Sequence, residues 1–71
     1  MKCAVYLDAV GQDKIRAIKI LRSLNLGISL KEAADFMENL PRLVKSGLKN
    51  DEAIEIKRMF EVIGAKASIR T

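Results

Sequence analysis

From Lys14 to Lys31 the chain carries five cations (Lys14, Arg16, Lys19, Arg22 and Lys31) and no carboxylate. Wound as a helix at about 100° per residue, Lys14 to Leu24 sorts into two apolar faces. Ala17, Ile20, Leu21 and Leu24 fall on one side, as an amphipathic helix needs to cover a core. Ile15 and Ile18 fall roughly opposite, between Lys14, Lys19 and Arg22. A helix that only covered a core would need the first stripe alone. Two isoleucines ringed by cations have the composition of a docking surface for an apolar, acidic partner. The same spacing also fits a second core layer, because hydrophobic spacing does not distinguish the two.

The flanking segments supply the rest of a small fold. Lys2 to Asp8 alternates and contains Val5 and Tyr6, so it reads as a strand. Gly11 turns the chain, and Asp13 is placed to cap the first helix. Asn25 and Gly27 then break that helix. Ser29-Leu30-Lys31-Glu32 has the form of a capping box, which opens a second helix with Leu30, Ala33, Phe36, Met37 and Leu40 inward. Pro41 ends it, because the residue before a proline is pushed out of helical geometry. Leu43 to Lys45 is β-compatible, and Gly47 reads as a turn. Asn50 is a cap for a third helix, with Asp51 and Glu52 complementing its dipole. Ala53, Ile56, Met59, Phe60 and Ile63 follow helical spacing, and Gly64 suits the position after a helix end. Ala65, Ala67 and Ile69 alternate with Lys66, Ser68 and Arg70 in a last strand. The order β-α-α-β-α-β predicts an α+β fold with three helices on one face of a three-stranded antiparallel sheet.

At 71 residues this is the length of one domain, residues 1–71. No apolar run approaches the ~20 residues of a membrane span, and nothing after Met1 reads as a signal peptide. The lone Cys3 forms no internal disulfide, which fits a reducing cytoplasm. With no histidine and one cysteine, metal-ligand clusters and histidine-based nucleophile systems are excluded. No glycine-rich phosphate loop is present. Asp51, Glu52 and Glu55 read as dipole complements, and Glu32, Asp35 and Glu38 as a solvated helix face. The sequence therefore calls for no catalytic residue, no metal and no cofactor, and the protein is not expected to be an enzyme.

The net charge of +4 points to an acidic partner, protein or nucleic acid. Lys14, Arg16, Lys19 and Arg22 could meet phosphates. However, the aromatics Tyr6, Phe36 and Phe60 all fall at expected core positions and leave no base-stacking platform. A protein partner is the favoured reading, with nucleic acid second.

The residues also carry a resemblance. Gly11 through Arg22 (GQDKIRAIKILR), then Leu30-Lys31-Glu32-Ala33, Pro41, Gly47 and Gly64-Ala65, resemble the C-terminal domain of the bacterial ribosomal stalk protein family. The match runs from about Ala4 to Arg70 in order and spacing. The resemblance implies the same β-α-α-β-α-β fold. It also implies a role in recruiting translational GTPases (elongation, initiation and release factors) to the ribosome, and hence a cytoplasmic protein. By position, the family's factor-contacting residues correspond to Lys14, Ile15, Ile18, Lys19, Arg22 and Glu32.

This chain departs from the family pattern at several points. Ala34 stands where the family typically has lysine, and Ser23 and Ser29 stand where it usually has glycine. The loop from Asn25 to Ser29 reads as one residue longer. Members are usually acidic, whereas this chain is +4. The family's dimerisation domain and hinge are absent from this sequence, so a monomer is expected. A free-standing mimic or adaptor that binds another protein without ribosome attachment is the alternative. A protease-adaptor family shares the fold, but its recognition site needs an acidic pocket that the basic helix does not provide.

Overall fold

The computed structural model describes residues 2–24 and 27–71. The first strand spans Cys3–Ala9 (β1), and its alternation decides the layering. Cys3, Val5 and Leu7 are buried, while Ala4, Tyr6 and Asp8, which alternate with them, are only half-buried on the other face. The remaining elements follow in the expected order: α1 (Lys14–Leu24), α2 (Leu30–Glu38), β2 (Arg42–Leu48), α3 (Asn50–Val62) and β3 (Lys66–Arg70). The sheet order is β2-β1-β3, and both pairings are antiparallel. The three helices cover one face, and the core lies between them and the sheet. It includes Val5, Leu7, Ala17, Leu21, Ala33, Phe36, Met37, Val44, Leu48, Ala53, Ile56, Phe60 and Ala67.

The helix ends are set by local chemistry. The Arg16 N–H donates to Asp13 Oδ1 at 3.1 Å, so Asp13 caps α1 as expected. The break expected at Asn25 lies outside the described residues. At α2 the capping box is complete: the Glu32 N–H donates to Ser29 Oγ at 3.1 Å, and the Ser29 N–H donates to Glu32 Oε1 at 3.4 Å. The last helical residue of α2 is Glu38, three residues before Pro41, and Asn39 folds back to donate from Nδ2 to the Asp35 carbonyl.

At α3 the sequence-based expectation is corrected. Lys49, not Asn50, occupies the cap position. The cap is made from the other side, where Glu52 Oε1 accepts from the Lys49 N–H at 2.9 Å. An acid three residues into a helix can satisfy the entry amide without a capping side chain before it. At the far end, the Gly64 N–H donates to the Glu61 carbonyl and the Ala65 N–H to the Phe60 carbonyl. With φ of +83 at Gly64, this is a Schellman ending, which requires glycine after the last turn.

Three further expectations are corrected. The segment Leu43 to Lys45 was expected as a short strand closed by a turn at Gly47, but β2 runs through Gly47 to Leu48. Cys3 faces Leu48, Val5 faces Lys45 and Tyr6 faces Leu43, so β2 carries two more residues than the stretch of β1 it pairs with. Gly47, at φ of +69, lies in one of these bulges. A glycine in left-handed geometry serves a bulge as well as a turn, and sequence alone does not separate the two.

Tyr6, expected in the core, lies half-buried on the outer face of the sheet, where the Arg70 guanidinium stacks 4.1 Å from its ring centroid. Strand alternation opposes it to Val5 and Leu7, and only one face of the sheet is covered by helices. Leu30, expected inward, is 60% exposed. It shares its helical phase with Met37 but stands at the first position of α2, two turns away, and does not belong to the core.

One close approach fixes how the two ends of the helical layer meet. A Cβ built on Gly11 would stand 2.7 Å from the Gly64 carbonyl oxygen, whereas one on Gly27 would meet nothing within 4 Å. Gly11→Ala is therefore expected to cost about 1–3 kcal/mol through backbone displacement, and Gly27→Ala to stay within about 0.5 kcal/mol. Urea unfolding of the two variants beside the parent chain checks this, and equal stabilities would contradict it.

Candidate protein-docking groove

The outer side of α1 is built by four residues that succeed one another at helical spacing. Ile15 and Lys19 form one i,i+4 row, and Ile18 and Arg22 form the next. On a helical projection the four span about 100° of circumference. With Leu30 from α2 they line a groove of about 300 Å³. Its N-terminal end along α1 is apolar and its C-terminal end is cationic.

The two isoleucines are not equivalent. Ile15 is 71% exposed, whereas Ile18 is half-buried and packs against the core. The projection explains the difference. Ile18 lies about 60° from Leu21, on the flank of the core stripe, while Ile15 lies on the far side. Both readings open at the sequence level, core layer and exposed patch, therefore apply, the first in part to Ile18 and the second to Ile15.

The structure distributes the other expected site residues differently. Lys14 sits off the strip, and its Nζ lies 3.8 Å from Glu38 Oε1 at the end of α2. Both side chains are well exposed, so this pair contributes little. Arg16 is occupied beside Asp13, Nε to Oδ2 at 3.4 Å. Arg22 lines the groove and also donates from Nε to the Ile28 carbonyl at 3.4 Å, which ties α1 to the approach of α2. Glu32 does not line the groove, and its carboxylate accepts from the Ser29 N–H.

Leu30 is the groove residue that sequence reasoning missed. The available signal was its place at the first position after the cap residue Ser29, where no preceding turn of its own helix covers it. Among the described residues no cluster of histidine, cysteine, aspartate or glutamate could hold a metal ion. Nor is any helix there long and apolar enough to cross a membrane.

An exposed apolar groove with a cationic end can bind an apolar segment and orient acidic groups beside it. Residues 3–70 match the family model described as the ribosomal protein L7/L12 C-terminal domain. The chain belongs to this family. A large ribosomal subunit protein bL12 from a Thermoanaerobacter species is 48% identical over 66 residues, which cover 93% of this chain and 52% of the relative. The bL12 of Nitratiruptor is 42% identical, with 93% of this chain and 51% of the relative covered. That of Micrococcus luteus is 39% identical, with 93% and 55% covered. The chain thus spans about half the length of the curated relatives it matches. This family is one of ribosomal proteins rather than enzymes.

The groove's exposure separates its residues by their share in stability. Ile15→Ala and Leu30→Ala are expected to change the unfolding free energy by less than about 0.5 kcal/mol. Ile18→Ala, which also removes core packing, should cost about 1–2 kcal/mol. Thermal or urea unfolding ranks the three, and a large loss at Ile15 would place it in the core instead.

Proposed function

We propose that this chain acts as the factor-docking part of a ribosomal stalk protein, capturing translational GTPases through the α1–α2 groove. The observation that carries this reading is the groove itself. Ile15, Ile18 and Leu30 form an apolar lining that ends at Lys19 and Arg22, on a chain of the L7/L12 C-terminal domain family. The partners are elongation, initiation and release factors, and the setting is the cytoplasmic ribosome.

The interaction divides between apolar contact and charge. Covering the exposed parts of Ile15 and Leu30 is worth about 1–2 kcal/mol each, enough for a weak contact and too little for a lasting complex. Lys19 and Arg22, at the open end, accelerate and orient the approach of an acidic surface. Lys14 adds to the same field from beside Glu38. Capture is thus fast and reversible, as a repeated recruiting step requires. The chain engages its factor as a monomer.

The test is an NMR titration of the labelled chain with a purified elongation GTPase at two salt concentrations. Shifts confined to Lys14–Arg22 and the first turn of α2 are expected, with weaker binding at the higher salt. Ile18→Ala and Lys19→Glu should each weaken binding at least about tenfold, the latter mainly through the association rate. No shifts from a folded chain would remove the proposal in favour of a different protein partner. Binding to RNA with a steep salt dependence, lost on changing Lys14 and Lys19, would move it to nucleic acid.

A further inference from the structure

We infer that Glu32 is a positioning residue for this groove. It fixes the entry of α2 so that Leu30 stands as the groove wall, and it acts through the cap rather than as a charge facing the partner. The consequence for binding rests on the docking reading above; the positioning itself does not. Leu30 is the groove's contribution from α2, yet at 60% exposed it has little packing to hold it. Its place is set instead by the backbone of the residues around it.

That backbone is held on both sides of Ser29. The Arg22 Nε donates to the Ile28 carbonyl at 3.4 Å on one side. On the other, Ser29 and Glu32 exchange hydrogen bonds, Glu32 N–H to Ser29 Oγ at 3.1 Å and Ser29 N–H to Glu32 Oε1 at 3.4 Å. The Ala33 N–H closes the first helical turn on the Ser29 carbonyl at 2.9 Å. Without the box, the Ser29 and Glu32 amides lose their partners and the helix entry frays. The turn that would fray is the one that carries Leu30. Ser29 supplies the serine side of the box, and Glu32, outside the groove lining, supplies the other.

Capping chemistry and charge chemistry make opposite demands on residue 32. A capping box accepts glutamine in place of glutamate, because what it needs is an acceptor oxygen. A charge contact to a partner does not. The experiment compares Glu32→Gln, Glu32→Ala, Ser29→Ala and the Ser29→Ala/Glu32→Ala double variant with the parent chain. Two readouts are taken. NMR of the free chain follows the Ser29 and Glu32 amides and the side-chain proximity of Leu30 to Ile18. Titration with a purified elongation GTPase at two salt concentrations follows binding.

Glu32→Gln should keep the Leu30–Ile18 proximity and bind within about twofold of the parent at both salt concentrations. Glu32→Ala should weaken that proximity and bind roughly three- to tenfold more weakly, by the same factor at both salts. The double variant should be no more than about twofold worse than the weaker single one, because both remove one cap. The inference is overturned if Glu32→Gln binds as poorly as Glu32→Ala with a loss that shrinks at high salt, or if Glu32→Ala leaves Leu30 against Ile18. Should the parent chain not bind the GTPase at all, the docking reading falls, and the free-chain measurement alone decides the positioning role.

Discussion

Ala17, Ala33 and Ala53 are each fully buried, one in each helix. The rest of the structure depends on what their small size permits. Three helices can share one face of a three-stranded sheet only if they approach closely, and a larger side chain at any of these positions would push a helix outward. With the helices close, the central strand is sealed: Val5 and Leu7 have no exposed surface, and neither does Phe60 above them. In so short a chain the number of fully buried large side chains is small, so each carries a large share of the apolar burial. The near-contact of Gly11 with Gly64 is the same constraint at the edge of the helical layer.

The close packing of α1 and α2 also creates the groove. α1 turns Ala17 and Leu21 inward and leaves Ile15 outward, with Ile18 on the boundary. Because α2 begins beside the outer half of α1, Leu30 meets that boundary and extends the apolar surface of Ile15 and Ile18 across two helices. The groove needs no moving part and no buried charge, and the core contains no buried polar or charged residue among the described residues. Its cationic end follows from helical spacing, since Lys19 and Arg22 stand one turn beyond Ile15 and Ile18. Other cations of the helix are engaged within the chain, Lys14 beside Glu38 and Arg16 beside Asp13.

Much of this was legible in the sequence because it is local. Asp13 and the Ser29–Glu32 box mark helix starts through hydrogen bonds that span three residues. Gly64 marks an ending that requires positive φ. The groove residues of α1 were legible as a class, since isoleucines between lysines and an arginine stand out on a helical projection. What misled were residues whose chemistry serves two structures equally. Gly47 suits a turn or a bulge, Asn50 or Glu52 can satisfy a helix entry, and Tyr6 suits either face of a strand until one face is covered.

Sequence by itself determined the order of elements, the side of each helix that seeks a core, and the clustering of cations around Ile15 and Ile18, because periodicity and capping act within one or two turns. Only the tertiary structure decided how far each element reaches past its neighbour. That reach left Leu30 exposed as a groove wall, made Ile18 shared between core and surface, and put Tyr6 under Arg70 on the open face of the sheet. Period fixes the direction of a side chain. Whether anything stands in that direction depends on contacts between residues far apart in the chain, which no local pattern encodes.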